Sequence, residues 1–201
     1  MEYIYVSNNS LSNETCDEII DFFNKSPDIY NGVVQEGVVP TIKHTIDLYI
    51  TKHRSDFENK LDIILFNELN KQLKKYIKEV VVNKNHYDND SLFSSIFDTG
   101  FQIQYYKKNK GKFEKHNDFT VVINDNHLCP RIFSYIWYLN DVEEGGETEF
   151  FLDGAMKIKP EKGKFIIFPA TWTYLHKGNK PISNDKYIIT GWVYDKKIKI
   201  K

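Results

Sequence analysis

From Gly100 onward the chain breaks into short β-rich runs divided by turn residues: FQIQYY, KFEKHNDF, RIFSYIWYLN, TEFFL, MKIKP, GKFIIFP and KYIITGWVY. Strands this short cannot bury an apolar face alone, so the pattern restricts this half to an antiparallel barrel or sandwich. Alternation within RIFSYIWYLN sends Ile132, Ser134, Ile136 and Tyr138 to one face and Phe133, Tyr135, Trp137 and Leu139 to the other. Both faces are largely apolar or aromatic, so one lines the inside and the other meets a further layer. The same rule groups Lys186, Ile188, Thr190 and Trp192 on one face of KYIITGWVY.

The further layer is helical and comes from the first half. After a short strand over Tyr3 to Val6, the stretch Leu11, Ser12, Asn13 offers a helix start. Cys16, Ile19, Ile20 and Phe23 then form one apolar stripe, and Pro27 lies past its end. Ser55 and Glu58 have capping-box spacing, and Phe57, Leu61, Ile64, Leu65, Leu69, Leu73 and Ile77 mark a longer helix with no chemistry on it. Between the helices, YNGVVQEGVVPTIKHTIDLYI reads as two strands around a loop from Glu36 to His44, either a lid or a plain connector. Asn83 to Ser95 is polar and reads as loop. Without repeats or linkers, the expectation is one domain over 1–201, with supporting helices and strands in 1–99 and the β-rich core in 100–195.

Charge and cysteine content exclude several partners. Across 201 residues the net charge is −1, with lysines interspersed among acids, which gives no pull toward nucleic acid or an anionic membrane. Cys16 and Cys129 cannot build a disulfide framework and suit a reducing compartment. Neither a secretory signal nor a transmembrane run is visible, so a cytoplasmic location is expected.

The chemistry-bearing residues lie in the β-rich half. His116 and Asp118 stand two apart in KFEKHNDF, a spacing that puts an imidazole and a carboxylate on one face of an extended run. His176, in TYLHKGNKP, is the best candidate for a third ligand. Two histidines and one carboxylate on one face of an octahedral ion leave three positions open, the signature of non-haem Fe(II) oxygenases. An isolated H-x-D is weak support by itself. Lys186 adds to it, because a lysine on an inward strand face either snorkels to water or needs an anion. 2-Oxoglutarate both chelates iron and carries a second carboxylate.

These residues, with Arg131, YLND (Tyr138 to Asp141), EEGGETEF (Glu143 to Phe150), KPEKGKFIIFP and KYIITGW, resemble the Fe(II)/2-oxoglutarate-dependent dioxygenases of the prolyl 4-hydroxylase type. The match covers about the C-terminal half in the family's motif order. It implies an α+β, mainly β fold: a double-stranded β-helix (jelly roll) with N-terminal helices packed on one sheet. It further implies that His116, Asp118 and His176 hold iron, that Lys186 pairs with the distal carboxylate of 2-oxoglutarate, and that Tyr138, Tyr106 and Thr190 lie beside it. Arg131 resembles an arginine that meets the substrate peptide, its alternative being a surface arginine. Trp192 resembles a pocket-lining tryptophan, its alternative being core. Phe113 stands where the family often has a tyrosine near the substrate, and the loop from Tyr106 to His116 is one residue longer than in collagen-type members.

The activity so implied is hydroxylation of a C–H bond, foremost of a prolyl residue in a peptide or protein, with O2 consumed, succinate and CO2 released, and ascorbate as an auxiliary reductant. A carboxylate at Asp118 leaves no site for halide and argues against a halogenase. The alternatives are a hydroxylase of a free amino acid or other small molecule, a zinc hydrolase, a nucleic-acid demethylase, and a non-catalytic cupin-like module. The zinc hydrolase leaves Lys186 unexplained, and the demethylase lacks its basic groove. His44, His53, His86 and His127 have no partners at ligand spacing.

Overall fold

The computed structural model describes residues 3–51, 54–82, 96–151, 154–195 and 198–199. The expected loop from Asn83 to Ser95, with His86, lies outside the described residues, as does His53. The first half carries β1 (Tyr5–Ser7), α1 (Asn13–Lys25), β2 (Tyr30–Asn31), β3 (Lys43–His44), β4 (Ile46–Tyr49) and α2 (Asp56–Tyr76). A π-helical segment, Ile77–Val82, prolongs α2. There follow β5 (Ile96–Asp98), β6 (Gln102–Tyr106), β7 (Lys112–His116), β8 (Val121–Asn124) and β9 (His127–Tyr138). The chain ends with β10 (Thr148–Phe150), β11 (Met156–Ile158), β12 (Phe165–Pro169), β13 (His176–Gly178), β14 (Lys186–Asp195) and β15 (Ile198–Lys199).

Two antiparallel sheets result. The larger runs β1-β12-β9-β14-β6-β4-β2, with β5 paired to β14 and with β8 and β15 paired to β9. The smaller runs β11-β10-β13-β7-β3. Tyr106, Ile136, Tyr138, Ile166, Phe168 and Ile188 of the larger sheet pack with Phe150 and Ile158 of the smaller, which makes the jelly-roll interior. The opposite face of the larger sheet takes the helices. Cys16, Ile19 and Phe23 of α1 and Leu61, Leu65, Leu69, Leu73 and Tyr76 of α2 pack with Tyr135, Trp137, Phe165, Ile167 and Ile189. Full burial of such side chains contributes about 1.5–3 kcal/mol each, which is what ties the helices to the sheet.

The helix starts follow the local chemistry of the sequence. Ser12 caps α1 by accepting from the Thr15 N–H at 3.1 Å. Ser55 caps α2 by accepting from the Glu58 N–H at 3.1 Å, while its hydroxyl donates to Glu58 Oε2 at 3.0 Å. Arg54 closes on the same carboxylate at 2.6 Å, so Glu58 is buried and paired.

Three expectations need correction. The alternation read into RIFSYIWYLN holds from Phe133 to Leu139 but fails at Ile132. Val193 pairs with Phe133 and Tyr194 with Arg131, so Ile132 is an extra residue on β9. It packs toward the helix-side core, and Arg131 is turned inward in its place. Second, the first half does more than support: β1, β2 and β4 extend the larger sheet and β3 extends the smaller, so His44 is a strand residue and not part of a loop. Third, β7 stops at His116, and Asp118 lies beyond the strand. The β8–β9 hairpin was also not foreseen, although Asp125 (φ 47°) and Asn126 (φ 59°) form the two-residue turn such hairpins prefer.

Candidate metal centre and cosubstrate pocket

β7 and β13 are hydrogen-bonded neighbours in the smaller sheet, and His116 stands directly opposite His176. Their ring centroids are 4.3 Å apart. Each Nδ1 meets the backbone carbonyl two residues earlier, Glu114 O at 2.7 Å for His116 and Tyr174 O at 3.1 Å for His176. That bond takes the ring proton onto Nδ1 and leaves an Nε2 lone pair facing the interior. Asp118 completes the cluster at 3.7 Å from His116 Nε2 and 3.6 Å from His176 Nε2. All three donor atoms lie within 4.8 Å of one another, and no other group among the described residues collects three possible ligands in this way.

Asp118 has no ladder to aim it and is held by side chains of β9. Ser134 Oγ donates to Oδ2 at 2.7 Å, and Arg131 Nη1 donates to the Asp118 carbonyl at 2.9 Å. Burial raises the pKa of the carboxyl, but His176, His116, Ser134 and Arg131 together outweigh it and hold the carboxyl below its usual range. Burial, with His176 close by, brings His116 down to about 4, so its imidazole is neutral and able to ligate at neutral pH. Two imidazoles and one carboxylate on one side of a small interior space are a donor set that fits Fe(II).

Behind the cluster the interior narrows to a pocket lined by Gln104, Tyr106, Thr148, Lys186, Ile188 and Thr190, among others. Lys186 sits at its closed end. It is 1% exposed, so it does not snorkel, and its Nζ donates to Gly146 O at 2.7 Å and lies 4.6 Å from the centre of the Tyr106 ring. Burial, only partly offset by the Glu147 carboxylate, brings its pKa down to about 7, a cation in want of a closer counter-ion. Tyr138 is placed one step back from where the sequence put it. Its hydroxyl donates to Thr148 Oγ1 at 2.7 Å, which leaves the Thr148 proton for a ligand. Thr190 lines the pocket but spends its proton on Tyr135 O at 3.0 Å. Gly178 lets Tyr106 approach closely: a Cβ there would sit 3.3 Å from Tyr106 Cε1, so the ring would have to give by a few tenths of an ångström.

In front of the cluster a cleft of about 700 Å³ opens, with Tyr30, Val33, Val34, Ile42, Phe119 and Trp192 among its walls. Phe113 stacks on the His116 ring, with centroids 3.6 Å apart, and faces both the pocket and the cleft. Arg131 is neither a free surface residue nor an open hand: Nε and Nη2 donate to Tyr194 Oη, and its guanidinium lies 4.1 Å from the centre of the Trp192 ring. Residues 36–42 belong to the segment that flanks the cleft, while Lys43 is pinned in β3 and pairs with buried Asp47 at 2.6 Å.

Sequence reasoning missed Ser134 as the support of Asp118, Thr148 in the pocket, and Gln102 and Gln104 on the inner face of β6. The glutamines were legible, since alternation in FQIQYY places them beside Tyr106. The Lys43–Asp47 pair had no local signal.

A jelly roll carrying a His-x-Asp…His cluster between its sheets defines the class: a mononuclear non-haem metal-centre fold. Within that class, residues 101–194 match the family model of the 2OG-Fe(II) oxygenase superfamily. The prolyl 4-hydroxylase resemblance is borne out as well. "Probable prolyl 4-hydroxylase 9" of Arabidopsis thaliana is 33% identical over 121 residues, covering 47% of this chain and 40% of the relative. The chain thus spans about two fifths of the length of the curated relatives it matches. Among solved structures, a viral collagen prolyl hydroxylase from Paramecium Bursaria Chlorella virus-1, in complex with 2OG, superposes with a TM-score of 0.67 at 19% identity, covering 96% of this chain and 97% of that one. A prolyl hydroxylase from Trichoplax adhaerens, in complex with a hypoxia inducible factor peptide fragment, gives 0.68 at 18% identity, with coverage of 97% and 84%. Among the described residues no helix is long and apolar enough to cross a membrane.

Proposed function

We propose that the chain is an Fe(II)- and 2-oxoglutarate-dependent dioxygenase that hydroxylates a prolyl residue of a peptide or protein and releases succinate and CO2. The observation that carries this reading is the alignment of His116, Asp118 and His176 with buried Lys186 at the closed end of the same interior. With Fe(II), 2-oxoglutarate and dioxygen bound there, the metal and cosubstrate supply the oxidising chemistry, as in any cofactor enzyme.

The residues of the chain would hold, orient and exclude water. His116 and His176 present fixed Nε2 lone pairs, and Asp118 presents a carboxylate steadied by Ser134. Lys186 pairs with the distal carboxylate of the cosubstrate, and Thr148 and Tyr106 offer hydroxyls beside it. Phe113, Ile136 and Trp192 keep the space between pocket and cleft apolar and limit access of water. Supporting a peptide substrate are the size of the cleft, its mixture of apolar and hydrogen-bonding side chains, the prolyl 4-hydroxylase relatives, and the peptide bound by the Trichoplax protein. Phe113 presents an apolar ring to this cleft beside His116.

Anaerobic loading with Fe(II) and 2-oxoglutarate, followed by oxygen and a library of proline-containing peptides, tests the reading. The expected result is peptide-stimulated succinate release and a product heavier by about 16 Da, one oxygen atom. Oxidation of free proline or a nucleobase, with no peptide oxidised, would overturn the peptide assignment and leave the dioxygenase class in place.

A further inference from the structure

Gln102, Gln104 and Tyr106 stand in succession on the inner face of β6, and their side chains form an unbroken directional chain of hydrogen bonds. Tyr106 Oη donates to Gln104 Oε1 at 2.9 Å, Gln104 Nε2 to Gln102 Oε1 at 2.6 Å, and Gln102 Nε2 to Tyr30 Oη at 3.0 Å. The three β6 residues are 4%, 3% and 2% exposed in that order, so water does not replace a lost link. Tyr106 faces the inner pocket, Tyr30 faces the outer cleft, and Gln104 lines both. The chain therefore connects the place of the cosubstrate with the place of the substrate.

Its sense follows from who donates. Every link is given by the residue nearer the pocket floor, so Tyr30 accepts and its own proton is left for the cleft. A carboxylate accepts hydrogen bonds and donates none. One lying against Tyr106 draws the phenol proton away from Gln104 Oε1, and a buried amide oxygen without a donor is unfavourable. Turning both terminal amides by half a turn restores every link in the opposite sense. Tyr30 then donates to Gln102 Oε1, Gln102 Nε2 to Gln104 Oε1, and Gln104 Nε2 to Tyr106 Oη.

We propose that Gln102 and Gln104 are positioning residues that relay occupancy of the inner pocket to Tyr30, which offers the cleft a donor before an α-keto diacid binds and an acceptor afterwards. The proposal rests on the cosubstrate reading above. An acceptor at this place suits a backbone N–H of an extended peptide, so Tyr30 becomes complementary to substrate only once the cosubstrate is in place.

The test uses the full chain loaded with Zn(II), which is redox-inert and accepts the same donors. Glutamine side chains carry ¹⁵N, their resonances are assigned from Gln102→Glu and Gln104→Glu, and 2-oxoglutarate is titrated with parallel calorimetry. The side-chain amide signals of both Gln102 and Gln104 should move in step with saturation. In Gln104→Leu the Gln102 signal should no longer respond, although the heat of binding persists. Tyr30→Phe removes the cleft-end partner of Gln102 in both senses of the chain, so the Gln102 amide signal of the unliganded protein should shift. Binding heat without a Gln102 response in the unaltered chain, a Gln102 response that survives Gln104→Leu, or an unliganded Gln102 signal unmoved by Tyr30→Phe overturns the relay and leaves the cosubstrate reading standing. Absence of binding heat in the unaltered chain overturns both.

Discussion

Ser134 Oγ donates to Asp118 Oδ2 at 2.7 Å, and this bond, made from the larger sheet, aims a metal ligand that belongs to the segment following β7 of the smaller one. Ser134→Ala should therefore loosen Asp118 without altering the two histidines. Because outer partners of metal ligands typically contribute 10- to 100-fold to affinity, Fe(II) or Zn(II) binding should weaken by about that factor. Metal titration of the variant checks this, and wild-type affinity would mean that Asp118 is held adequately by Arg131 and its backbone.

Arg131 is tied to the Asp118 carbonyl and to Tyr194, so its loss should not be confined to substrate binding. Arg131→Ala should raise KM for peptide and also lower metal affinity and peptide-independent 2-oxoglutarate turnover. A variant with raised KM and intact peptide-independent turnover would show that Arg131 serves the cleft alone.

Lys186→Ala should weaken 2-oxoglutarate binding by about 2–5 kcal/mol while metal affinity changes little, since one partner of a buried charge pair is removed. The depressed pKa of Lys186, about 7, adds a pH signature. Above pH 7 the free lysine is mostly neutral, and pairing with a carboxylate recharges it. Binding therefore takes up a proton at pH 8 and none at pH 6, and affinity falls as pH rises above 7. Calorimetry in buffers of different ionisation enthalpy reads the proton uptake directly.

Acid should destabilise the metal-free protein early. The pKa of His116 is about 4 in the fold against about 6.5 in the unfolded chain, so the unfolded state binds more protons between those values. Stability from this group is complete above pH 6.5 and declines as pH falls toward 4. Asp118, also lowered, is protonated more readily when unfolded and adds a loss in the same direction at lower pH. Thermal melts of the apo protein across pH 4 to 7 should show this slope, and a flat profile would contradict it.

Trp137 is fully buried between the larger sheet and the helices, with its Nε1 donating to Ser10 Oγ at 2.9 Å. Trp137→Ala should cost about 3–5 kcal/mol of stability. The site lies on the other face of the sheet, so metal affinity per folded molecule should be retained. Denaturant unfolding and metal titration together separate the two effects.

Much of this molecule was written locally. Alternation in RIFSYIWYLN and KYIITGWVY assigned Tyr135 and Trp137 to one layer and Ser134, Lys186 and Thr190 to the other, because side-chain direction in a strand depends only on parity. The caps at Ser12 and Ser55 were legible for a similar reason, since their partners lie three residues away. His116, Asp118 and His176 were found through residue type and order.

What the sequence could not determine depends on contacts between segments distant along the chain. The bulge at Ile132 reverses parity and turns Arg131 inward, and it exists only because β14 pairs with β9 in that register. The position of Asp118 past the strand end is decided by Ser134 and Arg131, both reached across the sandwich. Tyr30 and Lys43 enter the cleft, with Asp47 paired behind Lys43, because β2, β3 and β4 add to sheets built by the second half. Pairing partners are chosen by the burial and hydrogen bonding of the whole fold, and no window of neighbouring residues encodes that choice.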